Sequence, residues 1–222
     1  MRILPAVFCL FASLASLRAD SLPDILARMD KNAPGFRALT ANLVMDTYQK
    51  IIDSHTEENG SLQMQRSTKG EVRAIITFTG NSARTIGFQG KSARIYYPAI
   101  NQYQDVSLGS NAAVVNQFLL LGFGSSGKEL AQSYTITDEG QEKVAGQSAT
   151  KLLLVPKDPG VLERLTKVEL WIPDNGSNPI QQMFYEPSGN YRRITYSDIR
   201  LNPAISGTLE LKVPKNAKKQ RQ

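Results

Sequence analysis

The chain has 222 residues, with 26 lysines and arginines against 20 acids and a single cysteine. Hydrophobic residues make up 41%, an ordinary globular composition that excludes a disordered or collagen-like chain. No apolar run reaches the roughly 18 residues of a membrane-spanning helix. The formal charge of +6 raises nucleic acid or an anionic surface as a partner, so the position of that charge matters.

Residues 1–19 read MRILPAVFCLFASLASLRA. Arg2 is followed by an apolar stretch and small residues end at Ala19, with Ala15 as a rival cleavage position. This is the layout of a secretory signal peptide, so an exported mature chain starting near Asp20 is expected. Cys9 leaves with the signal and follows too short an apolar stretch for a lipid-attachment site. The mature protein is therefore expected to carry no lipid anchor, no disulfide and no thiolate site. Five of the remaining positive charges (Lys212, Lys215, Lys218, Lys219 and Arg221) fall in the last eleven residues, and the body from Asp20 to Leu211 carries −1. The basicity belongs to a tail at 212–222, which argues against a nucleic-acid-binding face.

Residues 21–32 (SLPDILARMDKN) predict an amphipathic helix. Ser21 can cap it, Pro23 sits in its first turn, and Leu22, Ile25, Leu26 and Met29 recur at helical spacing. Beyond Pro34 and Gly35 the apolar period changes to two. Leu43 and Met45, then Leu62, Met64 and Arg66, then Val72, Ala74, Ile76 and Phe78, then Ile86 and Phe88, then Ile95 and Tyr97 each share one face of a strand. Glycines and Pro98 punctuate the runs, as in an antiparallel meander.

Residues 111–123 (NAAVVNQFLLLGF) are uncharged. Val114, Val115, Phe118, Leu119 and Leu121 cover more than one helical face, so a helix capped by Ser110 or Asn111 and covered on several sides is predicted. Gly122, Gly124, Ser125, Ser126 and Gly127 read as a flexible joint. Strands resume at 134–137, 149–155, 167–172, 180–185, 191–199 and 208–213, with turn signals at 174–176 and 187–190. The expectation is one mainly β (α+β) domain over 20–222. About eleven antiparallel strands should curl into a barrel or part-barrel, with a helix in front and a helix in the middle.

Catalytic chemistry finds little support, and no enzyme activity, metal or cofactor is expected. His55 is the one histidine, in a polar, turn-like stretch (DSHTEE, 53–58), and reads as a solvated loop residue. No G-x-S-x-G is present. Asp53, His55, Glu57 and Glu58 read as a charged turn rather than a metal site. GFGSSGK at 122–128 lacks the spacing of a phosphate loop, and Ser126 with Lys128 reads as a chance pair. What remains is apolar alternation. A curved sheet has a concave face to be filled by its own side chains or by a ligand. Met45, Met64, Phe78, Phe88 and Tyr97 suit a pliable apolar cavity, with the uncharged helix as a movable cover. A closed, fully packed barrel fits the same periodicity.

GSLQMQR at 60–66 resembles the G-x-L-x-V-x-R strand of the LolA family of periplasmic outer-membrane lipoprotein carriers. GKSARIYYP at 90–98 resembles that family's G-K-x-x-x-x-Y-x-P segment at the same distance downstream. The order of elements fits throughout the mature chain. Ser67, Gln89 and the pair Arg94-Ile95 depart from the family pattern. The resemblance implies an incomplete β-barrel with mid-chain lid helices over an apolar cavity. It implies a monomeric, non-enzymatic carrier that takes acylated lipoproteins or lipids from an inner-membrane ABC transporter to an outer-membrane acceptor. The cavity and lid would be formed by Leu43, Met45, Leu62, Met64, Phe78, Phe88, Ile95, Tyr97, Val115, Phe118 and Leu119. Arg66 corresponds to an arginine that, in the family, hydrogen-bonds to the lid. By its own position, Arg66 either finds acceptors in the lid or reaches water at the sheet rim. A regulatory or interaction module on the same scaffold, binding a protein partner, is the alternative.

Overall fold

The computed structural model describes residues 21–109, 112–174 and 176–220, with every side chain among them except those of 113, 114 and 117. The expected signal peptide, Cys9, the helix caps Ser110 and Asn111, the side chain of Val114 and the tail's Arg221 lie outside the described residues.

Helix α1 (Leu22–Asn32) starts where its capping chemistry places it. The Ser21 hydroxyl accepts from the Asp24 amide and the Asp24 carboxylate accepts from the Ser21 amide, each at 3.4 Å, satisfying two donors that a bare helix end would leave open. Ile25 and Met29 are fully buried beneath it. The alternating segments then form β1 (Ala38–Gln49), β2 (Ser54–Arg66), β3 (Val72–Phe78), β4 (Arg84–Gln89), β5 (Ser92–Tyr97) and β6 (Gln102–Ser107). Two helices follow, α2 (Ala112–Leu120) and α3 (Gly127–Ser133). The second meander is β7 (Tyr134–Val144), β8 (Gln147–Pro156), a one-turn α4 (Pro159–Leu162), β9 (Lys167–Pro173), β10 (Gln181–Tyr185) and β11 (Tyr191–Leu201). A two-residue strand, β12 (Lys218–Lys219), comes last in chain order.

The twelve strands among the described residues lie in one sheet, ordered β12-β6-β5-β4-β3-β2-β1-β11-β10-β9-β8-β7. Each neighbouring pair is antiparallel except β12 with β6, which is parallel. The two meanders are joined where β11 returns beside β1, with Met45 opposite Ile194. The outer strands β7 and β12 do not pair with each other. The sheet is therefore an incomplete barrel, with the helices on its concave side.

The two halves are filled differently. Over β7–β10, helices α1 and α3 press Ile25, Met29 and Leu130 against Leu152, Leu154, Val168, Leu170 and Ile172, all 0–2% exposed. Over β1–β4, the inward residues Leu39, Leu43, Leu62, Met64 and Phe78 meet Phe36 and Phe123, with Leu119 and Leu120 of α2 packed against them.

Two local expectations are corrected. His55 is not in a turn: it lies in β2, opposite Tyr48. Its ring is 4.9 Å from that tyrosine, and its Nδ1 is 3.0 Å from the Asp46 carboxylate. The polar run around it continues a strand because the hairpin turns earlier, at Lys50–Ile52, with Asp53 at φ 45°. The segment 208–213 is not a strand. It crosses the outer face of the sheet, where Gln65 brackets it by donating to the Gly207 carbonyl at 3.0 Å and accepting from the Leu209 amide at 2.8 Å. Leu211 packs onto Gly87, where an added Cβ would stand 2.5 Å from the leucine. The alternation of Leu209 and Leu211 is thus satisfied by packing across the strands rather than by pairing with one. The chain then reaches β6 as β12, and Lys219 pairs with Asp105 at 3.0 Å. Part of the basic tail is therefore tied to the sheet edge.

Candidate functional site

Between α2 and the concave face of β1–β4, β10 and β11 lies an apolar cavity of about 300 Å³. Nine of the eleven residues expected at such a site are brought together here: Leu43, Met45, Leu62, Met64, Phe78, Phe88, Val115, Phe118 and Leu119. Period-two alternation places the strand residues on one face, and helical spacing turns Val115, Phe118 and Leu119 toward them. Ile95 and Tyr97 are not among the lining residues. They share the concave face, since Ile95 pairs in register with Ile86, but β5 lies too far along the curve. The Tyr97 hydroxyl instead accepts from Gln104 at 3.1 Å.

The lining also includes Ile76, Phe123, Gln182, Phe184, Ile194 and Tyr196. Alternation alone marks Ile76, two residues before Phe78. Nothing local marks the residues of β10 and β11, whose place beside β1 depends on pairing across some 150 residues of chain. Phe118 meets Phe184 edge-on at 6.3 Å, and Phe123 meets Tyr196 edge-on at 4.9 Å, a favourable aromatic geometry. The two polar residues in the wall satisfy each other. The Tyr196 hydroxyl donates to Gln182 Oε1 at 2.7 Å, and Gln182 Nε2 donates to the Leu121 carbonyl at 2.6 Å. Burial pushes the Tyr196 phenol up from its ordinary pKa, so it stays a neutral donor. The wall therefore offers a ligand little but hydrocarbon.

The segment expected to be a flexible joint is a built connection. Gly122 has φ +79°, a conformation open to glycine. The Ser125 hydroxyl donates to the Leu120 carbonyl at 2.9 Å and accepts from the Gly122 amide at 3.1 Å, closing the end of α2. Ser126 caps α3 in a reciprocal arrangement with Glu129. Arg66 reaches this connection from the end of β2. Its Nη2 donates to the Gly124 carbonyl at 2.5 Å and its Nη1 to the Ala33 carbonyl at 3.4 Å, with the guanidinium 5.2 Å from the centre of the Phe36 ring. A Cβ at Gly124 would stand 2.7 Å from Phe36 and 2.8 Å from Arg66, so glycine is what allows the approach. Burial lowers the Arg66 pKa, Glu129 partly offsets that, and Arg37 adds to it.

Beside the cavity, on the same face, stands an ion pair. Arg84 holds both carboxylate oxygens of Glu58, Nη1 on Oε1 and Nη2 on Oε2 at 2.9 Å. The paired arginine holds the Glu58 carboxyl below the usual carboxylate range. A depressed carboxyl contributes stability above its unfolded pKa of about 4.5 and loses it as pH falls through the folded value. Glu58→Gln is therefore expected to melt below the wild type at pH 7, and the gap is expected to shrink toward pH 3. A gap unchanged over that range, measured by thermal melting, would show that the pair does not carry this dependence. Among the described residues, no group of three or more His, Cys, Asp or Glu is placed to hold a metal ion. No helix among them is long and apolar enough to cross a membrane.

An incomplete barrel with a helix over an apolar cavity is the arrangement that the resemblance in sequence implies. Solved structures are similar in fold at low sequence identity. The chain is similar to an uncharacterized conserved protein from Thermus thermophilus, at 15% identity over 91% of this chain and 100% of that one, with a TM-score of 0.53. It is similar to MucB at 16% identity over 83% of its own length, with a TM-score of 0.50, and spans about 60% of the MucB chain. A LolA superfamily protein from Nitrosomonas europaea is matched at 15% identity over 84% of this chain and 96% of that one, with a TM-score of 0.38. No family model matches the chain, and no curated protein matches it.

Proposed function

We propose that the protein is a non-enzymatic carrier that shields an acyl chain of a lipid or lipoprotein in the cavity beneath α2. The observation that carries this reading is the apolar cavity of about 300 Å³, whose two polar wall residues are already satisfied. An acyl chain cannot cross water cheaply, because each exposed CH₂ costs about 0.8 kcal/mol. The volume is at the low end of small-molecule sites, about 300–1,000 Å³. It suits part of one chain, and larger cargo requires α2 to move outward. Arg66, by holding the Gly124 carbonyl, then favours the closed lid.

The segment 1–19 supports export to the periplasm. In that compartment an inner-membrane transporter would load the carrier and an outer-membrane acceptor would unload it. MucB, which has been solved in complex with MucA, represents the alternative of a module that binds a protein partner. A filled interior would favour that alternative, and the cavity favours the carrier. The mature chain, purified from a membrane-containing host, is expected to yield bound lipid by mass spectrometry and, once delipidated, to take up a fluorescent acyl probe saturably. Absence of both lipid and uptake would sink the reading.

A further inference from the structure

The Glu58–Arg84 pair is placed where a stability role alone does not explain it. Glu58 shares the alternate positions of β2 with Leu62 and Met64, and Arg84 those of β4 with Phe88, all three of which line the cavity. In register, Glu58 stands opposite Met45 and Arg84 opposite Phe78, two further lining residues. The Arg84 guanidinium lies 4.2 Å from the centre of the Phe78 ring. Both side chains are mostly covered, 22% exposed for Arg84 and 12% for Glu58, yet both still reach solvent. A largely buried ion pair seldom stabilises a fold more than apolar residues of the same volume. Here it stands beside the apolar lining of a cavity sized for hydrocarbon.

We infer that Glu58 and Arg84 form a headgroup subsite that takes a zwitterionic lipid head, in which a phosphate and an ammonium are adjacent. This rests on the carrier reading and names its cargo class. The physical reason is exchange of partners. A purely anionic head that took Arg84 would leave the Glu58 carboxylate unpaired at an apolar surface, and a purely cationic head would strand Arg84. A head carrying both charges gives each residue a new partner: the phosphate oxygens replace the carboxylate on the guanidinium fork, and the ammonium replaces the guanidinium on Glu58. The hydrocarbon then runs past Phe78 and Met45 into the cavity.

The test compares the delipidated mature chain against three monoacyl lipids of equal chain length, with phosphoethanolamine, phosphoglycerol and uncharged glycerol heads, by displacement of a fluorescent acyl probe. The zwitterionic lipid is expected to bind at least about tenfold more tightly than either other, the equivalent of one charge-assisted hydrogen bond. In the double variant Glu58→Gln, Arg84→Gln the preference is expected to vanish while binding of the uncharged lipid stays the same. Equal binding of all three by the wild type overturns this inference and leaves the carrier standing. Persistence of the preference in the double variant also overturns it. Binding of none of the three overturns the carrier reading and the subsite with it. The wild-type comparison decides even if the double variant does not fold.

Discussion

Leu119→Arg is expected to abolish loading of an acyl probe and to leave the fold intact. Leu119 points from α2 into the cavity and is partly exposed there. It does not belong to the tightly packed core beneath α1 and α3. An arginine at this position fills the space with a charge that a bound chain would strip of water. An unpaired charge in an apolar site costs about 3–5 kcal/mol, which corresponds to a fall in affinity of about a hundredfold or more. Without ligand, the long side chain can reach solvent past the lid, so the melting temperature is expected to stay close to that of the wild type. Leu119→Met, which conserves volume and apolarity, is expected to load normally. Full loading by Leu119→Arg, read by probe titration, would remove the lid helix from the mechanism.

The second large effect concerns stability. Gln182 is 3% exposed and holds two groups at once, the Leu121 carbonyl at the end of the lid helix and the Tyr196 hydroxyl on β11. Gln182→Leu conserves the shape but leaves both partners unpaired in apolar surroundings, at about 1–3 kcal/mol each. A loss of about 2–6 kcal/mol in urea unfolding is expected, together with faster release of bound probe, because the Leu121 carbonyl is where Gln182 holds the end of the lid. A loss below about 1 kcal/mol would show that the two groups find other partners. Arg66 holds the Gly124 carbonyl three residues further on. Arg66→Met keeps its contact with Phe36 and deletes the hydrogen bonds. If both residues secure one lid, the release rates of Arg66→Met and Gln182→Leu will not combine additively.

Local chemistry makes much of this architecture legible. The cap at Ser21, the change of period from 3.6 to two after Gly35 and the uncharged helix each follow from residues within a few positions of one another. The structure has them as α1, the strands from β1 to β6, and α2. The strand face carrying Leu43, Met45, Leu62, Met64, Phe78 and Phe88 is readable for the same reason, because alternation is local. His55 reads wrongly as a loop residue because a polar run looks like a turn when the partner strand that stacks on it, at Tyr48, is not in view. The segment 208–213 reads wrongly as a strand because alternation cannot separate a residue that pairs in a ladder from one that packs across it, as Leu211 does on Gly87.

The charge shows the same division. Its bookkeeping by sequence is complete: the excess of basic residues belongs to the ends of the chain, and the body is nearly neutral. The sequence by itself also determined the alternation and the start of α1. Only the tertiary structure decided that Lys219 is paired with Asp105 rather than left in water. It alone decided that Phe184, Ile194 and Tyr196 complete the cavity, that Gln182 and Tyr196 neutralise each other's polarity, and that Arg66 meets the Gly124 carbonyl. The physical reason is range. Caps and periodicities are interactions between neighbours in sequence, whereas a cavity is a volume left between elements that meet only after β11 has paired with β1 and α2 has been laid across both meanders.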